Sequence, residues 1–392
     1  MDATDPISIQ PPEGYQGFEQ GPIRPPSEAE SLLIRVTRNC PWNKCTFCPV
    51  YKGTRFSRRP VEHVLRDIDT VARLVEIIRG QSADGGRTGE SQPAAAYANL
   101  HREDFAALSA TSNWYRAGMK SVFLQDANSL LVEPEDMVAI LHHLKERFPW
   151  VERITSYSRS QTIAKLSDQE LRAMAEAGLN RIHVGFESGA DAVLALVKKG
   201  ATKAIHVEAG QRVKRAGIEL SAYYMPGLGG RELWRDNALE TADLMNQVDP
   251  DFIRMRTLAV PDRVPLYQDL MTGTFQKCSD VETARELLLF MEHLEGITSF
   301  IKSDHILNLF EDLEGRLPGD KERLLATLRA FLALDPERQC LYQVGRRFGL
   351  FRGLADMQDA RRLSHAQRLA ETLGASPENI DQIVDRQVDR FI

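Results

Sequence analysis

The 392-residue sequence has few cysteines, no long apolar run and no excess of positive charge, and each shortage narrows what the protein does. Five cysteines in a chain of this length cannot form a disulfide framework. No apolar stretch approaches the ~20 residues that cross a bilayer, which argues against a membrane partner. The N-terminus is acidic and proline-rich where a secretory signal is basic and then apolar, so the expected location is the cytoplasm. A net charge of −6 argues against a nucleic-acid partner, because binding through counterion release needs a basic face. The chain also lacks a Walker loop, a dinucleotide GxGxxG after a strand, a DxHxxG cobalamin signature and any internal repeat.

What is present is an alternation. Short β-branched runs at 32–38, 121–126, 153–159, 181–188, 219–225 and 252–260 read as strands. Between them, apolar residues recur at three and four positions over 60–79, 134–147, 167–177, 203–216 and 231–248, with a further helix at 281–294. Pro60 opens the first helix; Ser167 with Glu170 reads as a capping box and Gly178 as the stop of the third. Strand–helix alternation implies parallel strands joined by right-handed crossovers. The expected fold is therefore α/β, a partial (β/α)6 parallel barrel over residues 31–265. An extended, proline-rich arm precedes it over 1–30. A flexible glycine-rich insertion interrupts it over 81–99, followed by a helix near 101–117. The strands are expected to cease after about 303, leaving 266–392 mainly helical, with helices at 320–334 and 364–373.

Three of the five cysteines, Cys40, Cys45 and Cys48, fall within nine residues directly after the first strand, at the edge where β/α barrels keep their active sites. Thiolates are ligands for both iron–sulfur clusters and zinc. Structural zinc takes four protein ligands, and this loop offers three with no second pair nearby, so a cubane with one open iron fits better than a zinc loop.

Cys45-Thr46-Phe47-Cys48 then resembles the CxxxCxφC pattern of the radical S-adenosylmethionine (SAM) superfamily, with four residues instead of three in the first gap. The resemblance runs over about 32–265. Gly185-Phe186-Glu187-Ser188-Gly189 with Lys199-Gly200 is similar to the GxESG…KG pattern of the coproporphyrinogen-oxidase-like and Elongator-like branches. Gln125-Asp126-Ala127-Asn128 stands where that family carries a GGE-type turn, and Met225-Pro226-Gly227-Leu228-Gly229-Gly230 resembles its glycine-rich turn. Pro265-Leu266-Tyr267 matches the end of a PxxGTPLY-like segment.

The resemblance implies a [4Fe–4S] cluster on Cys40, Cys45 and Cys48, with S-adenosylmethionine contacted by Phe47, Gln125, Asp126, Ser156, Ser158, Glu187, Lys199 and Gly227. It implies reductive cleavage of SAM to a 5′-deoxyadenosyl radical. That radical would take hydrogen from an unidentified small-molecule or tetrapyrrole-like substrate, with flavodoxin or ferredoxin as electron donor. The competing functions are RNA or protein modification by the same chemistry, and a non-catalytic metallochaperone or haem-binding relative. Three lesser features stand apart. His142-His143 reads as a solvated pair, since adjacent helical residues diverge by about 100°. Asp304-His305 is a candidate for the active-site edge, and Arg346-Arg347 reads as solvated surface.

Overall fold

The computed structural model describes residues 13–83 and 104–388. Most of the expected insertion, and the first part of the N-terminal arm, lie outside the described residues. In chain order the elements are β1 (Leu32–Arg35), β2 (Thr37–Arg38), β3 (Ser57–Arg58), α1 (Val61–Ala83), α2 (Asp104–Arg116), β4 (Ser121–Gln125), α3 (Pro134–Arg147), β5 (Arg153–Ser158), α4 (Ser160–Ile163), α5 (Asp168–Glu176) and β6 (Arg181–Glu187). They continue with α6 (Asp191–Leu196), α7 (Lys203–Arg215), β7 (Glu219–Tyr224), α8 (Gly230–Val248), β8 (Phe252–Met255), α9 (Leu266–Thr272), α10 (Asp280–Glu292), β9 (Phe300–Lys302), β10 (Gly315–Arg316), α11 (Lys321–Leu332), α12 (Pro336–Arg347), α13 (Ala360–Leu373) and α14 (Ile380–Val388). The α/β, parallel-strand architecture read from the sequence is the one observed. Among the described residues no helix is long and apolar enough to cross a membrane.

The chain divides into two compact units: residues 1–41, 54–157 and 169–181 form one, and 42–53, 158–168 and 182–392 the other. In the first unit β1, β4 and β5 run parallel, with Leu32 opposite Val122 and Ser121 opposite Arg153. Val64, Ile68, Val71 and Val75 of α1 are fully buried, as their spacing of three and four requires. Trp114 is anchored at both ends: its ring meets Phe148 edge-on at 5.0 Å and its Nε1 donates to the Ser121 carbonyl at 2.8 Å. Residues 13–30 lie along this unit. Tyr15 donates to Asp67 at 2.6 Å, and the Glu19 carboxylate bridges Arg35, Arg38 and Arg59.

In the second unit β7 and β8 run parallel, with Tyr223 opposite Arg254, and β8 runs parallel to β9. β9 pairs antiparallel with β10. β10, at 315–316, corrects the expectation that strands cease after about 303; at two residues it is too short to show a period, as is the three-residue β9 before it. The run at 252–260 is strand only to Met255, and that at 32–38 breaks at Val36.

Two surface assignments are also corrected. Arg346 and Arg347 are buried, Arg347 on Asp280 and Arg346 facing Glu311 at 3.4 Å, a pairing that one helix's periodicity cannot reveal. His143 places Nε2 2.9 Å from Asp69, while His142 is exposed.

The Arg59–Asp67 pair sits at 2.7 Å with both side chains buried. Removing one partner of a buried ion pair leaves the other charge uncompensated. Arg59 would keep Glu19 if Asp67 were lost, so the informative variant is Arg59→Ala, which strips the buried Asp67 carboxylate of its cation and should destabilise the first unit by about 3 kcal/mol, read as a drop in unfolding midpoint; a change under about 1 kcal/mol, the scale of an exposed pair, would contradict this role.

Candidate active site

β2 and β3 pair antiparallel, Thr37 with Arg58 and Arg38 with Ser57, and so tie together the two ends of the segment that carries the cysteines. Cys40, Cys45 and Cys48 are half-buried and none of the five cysteines forms a disulfide. Within the second unit the loop has no regular structure and is held by bonds to other elements. The Thr46 N–H donates to the Val197 carbonyl at 3.0 Å, and the Thr46 carbonyl accepts from Leu266 N–H at 3.0 Å. Lys52 donates to the Cys45 carbonyl at 2.7 Å and to the Asn43 carbonyl at 3.1 Å, and Asn43 donates through Nδ2 to the Tyr51 carbonyl. These bonds account for the Pro265-Leu266-Tyr267 motif: Leu266 is the donor that fixes the loop.

Asn43 adopts φ 46°, a left-handed turn that asparagine tolerates better than most residues. The neighbouring Trp42 is docked: its Nε1 donates to the Lys198 carbonyl at 2.8 Å, and Arg159 stands over the ring at 5.1 Å. A Cβ on Gly200 would lie 2.3 Å from that ring, and Gly200 itself has φ 67°. The glycine of the Lys199-Gly200 pair is thus the seat of Trp42.

Beside this loop, Glu187 and Lys199 pair at 3.2 Å, and the Lys199 ammonium stands 5.9 Å from the Phe47 ring. The structure brings these three sequence-predicted residues together. The motif around them has a steric logic: a Cβ on Gly185 would lie 2.4 Å from the Glu187 carboxylate, and one on Gly189 would lie 2.2 Å from the Glu240 carbonyl of α8. Glu187 has φ 67°, a conformation that costs a non-glycine residue roughly 1–3 kcal/mol and tends to persist at functional sites. The Glu187 carbonyl accepts from Met225 N–H at 2.9 Å, which links this pair to the turn that carries Gly227 at φ 82°. Ser158 is buried at the end of β5, its Oγ 3.4 Å from the Arg159 carbonyl.

The remaining predicted residues lie in the first unit. Asp126 is fully buried; its Oδ2 accepts from Arg35 at 2.8 Å and from Asn39 N–H at 3.2 Å, directly before Cys40. Gln125 spends its amide on residues 21–23, accepting from Gly21 N–H at 2.8 Å and donating to the Gly21 carbonyl at 3.1 Å and to the Ile23 carbonyl. Ser156 is buried with Oγ 3.4 Å from the Leu124 carbonyl. Sequence reasoning missed Trp42, Lys52 and Arg159; Lys52 stands beside the cysteines, whereas Trp42 and Arg159 take their meaning from partners far along the chain.

Among the described residues no three His, Cys, Asp or Glu side chains converge to chelate a single ion. A cubane asks for a different arrangement, since each thiolate binds its own iron. Three half-buried thiols on a loop pinned through its backbone fit such a cluster in donor chemistry.

Residues 103–241 match the family model of the Radical SAM superfamily. The chain carries a radical SAM domain over these residues, and enzymes with that domain use a [4Fe–4S] cluster and S-adenosylmethionine and generally need a reductant. Curated relatives include the tRNA uridine(34) acetyltransferase of Methanocaldococcus infernus, 26% identical over 117 residues, which is 30% of this chain and 22% of that one. The enzyme of the same description from Methanocaldococcus jannaschii is 23% identical over 128 residues, 32% of this chain and 24% of its own. The chain spans less than a quarter of the length of the curated relatives it matches. Similar solved structures include the archaeal Elp3 of Methanocaldococcus infernus with an N-terminal deletion, at 17% identity and TM-score 0.40, covering 50% of this chain and 52% of that one. Coproporphyrinogen III oxidase (HemN) from Escherichia coli is similar at 13% identity and TM-score 0.45, covering 67% of this chain and 52% of its own.

The Trp42 docking is directly testable. Gly200→Val places side-chain atoms where the indole lies and strains a left-handed backbone. It should cut the iron bound after anaerobic reconstitution at least several-fold while the far-ultraviolet spectrum is kept. Full iron loading in this variant would show that Trp42 does not hold the loop.

Proposed function

We propose that Cys40, Cys45 and Cys48 are the protein ligands of the [4Fe–4S] cluster, that Glu187, Lys199, Phe47 and the Gly227 turn hold S-adenosylmethionine, and that the substrate is a small molecule. When bound, the two cofactors together supply a 5′-deoxyadenosyl radical by one-electron cleavage of a C–S bond. The observation that carries the assignment is the convergence, within one unit, of the backbone-clamped Cys45–Cys48 segment with the Glu187–Lys199 pair and the Phe47 ring.

Each group has a task that follows from its chemistry. Cys40, Cys45 and Cys48 would hold the cluster through three thiolates and so leave it room to take the cofactor. The Glu187 carboxylate suits hydroxyl or ammonium donors, and Lys199 suits a carboxylate. Gly227, lacking a side chain, lets backbone approach the adenine. Apolar walls from Leu228, Leu258, Val260 and Phe275 pack against Cys45 and Cys48 and keep water from the reacting centre. In the first unit we assign Asp126 with Arg35 to bracing the backbone before Cys40, and Gln125 to fastening residues 21–23; Ser156 within β5 and Ser158 at its end remain polar candidates.

A second reading, modification of an RNA, is favoured by the similarity to the two archaeal tRNA-modifying enzymes, and opposed by the net charge of −6.

Protein reconstituted without oxygen should hold about four irons and four sulfides per chain, the content of one cubane. Cys45→Ala and Cys48→Ala should abolish both, together with the 5′-deoxyadenosine formed after chemical reduction. One zinc per chain with no sulfide would overturn the assignment. Glu187→Gln should keep the iron and weaken S-adenosylmethionine binding about tenfold, the scale of one hydrogen bond to a charged group; unchanged affinity would remove Glu187 from the cofactor site. If 5′-deoxyadenosine production rises on addition of bulk tRNA, the RNA reading replaces the small-molecule one.

A further inference from the structure

The second unit buries a polar network that the site above does not use. Glu286 of α10 is fully buried. Its Oε1 accepts from the Tyr224 hydroxyl at 2.7 Å and from Asn237 Nδ2 at 2.7 Å, and its Oε2 accepts from the Gly227 N–H at 2.9 Å. Asn237 Nδ2 also donates to the Met225 carbonyl at 3.2 Å. The same Met225 donates its N–H to the Glu187 carbonyl at 2.9 Å. A carboxylate on α10 therefore reaches the glycine turn after β7 in one hydrogen bond and, through Asn237 and Met225, the strained residue that ends β6 in three.

We propose that Glu286 is a positioning residue for S-adenosylmethionine, holding the Gly227 amide and, through Asn237, the Met225 carbonyl, so that the turn and the Glu187 carbonyl are set before the cofactor arrives. The proposal rests on the reading of Gly227 and Glu187 as cofactor contacts.

The chemistry of the three partners explains the residue type. Two of the three donors are amide N–H groups that cannot accept, so an acceptor-only carboxylate matches them. Glutamine would set an NH2 group against the Gly227 N–H in one orientation and against the Asn237 amide in the other. Asn237 could answer by rotating its amide, since its Oδ1 is buried without a partner, but the Met225 carbonyl would then lose its donor.

A purely structural role would select against the charge. Burial pushes the Glu286 carboxyl up to about 7 from an ordinary value of 4.5. The titratable groups facing it are both held neutral: burial pushes the Cys278 thiol up to about 12 and the Tyr224 hydroxyl well above its usual range. A carboxyl whose value is raised by folding weakens the fold as the pH climbs from about 4.5 to about 7.

The experiment compares Glu286→Gln, Gly227→Ala and the double variant, each loaded with its cluster, for S-adenosylmethionine affinity by equilibrium dialysis at pH 8. Thermal midpoint and hydrogen exchange over residues 225–230 are measured alongside. Glu286→Gln is expected to keep its iron and its midpoint, to speed exchange over the turn, and to weaken binding about tenfold. Gly227→Ala should weaken binding similarly, and the double variant by little more than either alone, because both act through one turn. Normal binding by Glu286→Gln beside weakened binding by Gly227→Ala would overturn the role of Glu286 and leave the cofactor site standing. Normal binding by both would overturn both. Losses that multiply in the double variant, or a fall in midpoint and iron that accompanies the lost affinity, would show that Glu286 does not act through the turn. Should Glu286→Gln fail to fold, Asn237→Ala, which cuts the tether to Met225, decides the matter by the same tenfold criterion.

Discussion

A loop that presents thiols to a cluster has no helix or ladder of its own, so its position depends on whatever its backbone can reach. Here the constraint falls on one residue between the ligands. Thr46 gives its N–H to the segment after α6 and its carbonyl to the first residue of α9, and the aromatic beside it faces the Glu187–Lys199 pair. Without these two bonds Cys45 and Cys48 would depend on the anchors at Trp42, Lys52 and Asn43 for their place. Two helix ends of the second unit serve this clamp: α6 ends where Val197 can accept, and the turn before α9 delivers the Leu266 amide.

Strain gathers at the same edge. Glu187, Lys198, Gly200 and Gly227 all take positive φ, while the strand interiors of β6 and β7 are ordinary and buried. Three of the glycines are there for space and not for flexibility. Gly185 makes room for an ion pair, Gly189 for the backbone of α8, and Gly200 for an indole. Backbone held this way can meet a ligand without first paying to order itself. The buried Glu286 network belongs to this economy, since it spends stability near neutral pH to keep one turn in place.

Much of the architecture was legible because it repeats. The helix at 134–147 and the starts of the strands at 121, 153, 181, 219 and 252 follow from period and punctuation alone. The short β9 and β10 were not legible, having too few residues to alternate. Within the candidate site, Phe47, Glu187 and Lys199 were named by their motifs, and the three stand together. Trp42, Arg159 and Glu286 were not, because their meaning lies in partners 40 to 160 positions away, such as Trp42 on Lys198 or Glu286 on Tyr224. The same blindness made Arg347 look like surface when it is buried on Asp280. For Gln125 and Asp126 the motif gave a place and the structure gives partners, on residues 21–23 and on Arg35 and Asn39.

The central claim is that the cysteine loop carries a cubane whose open iron takes the cofactor. Electron paramagnetic resonance of the anaerobically prepared, dithionite-reduced protein, with and without S-adenosylmethionine, tests it most directly. The account predicts the signal of a reduced [4Fe–4S] cluster whose g-values shift when the cofactor is added. A cluster signal indifferent to S-adenosylmethionine, or no cluster signal in protein that retains all three cysteines, would contradict it.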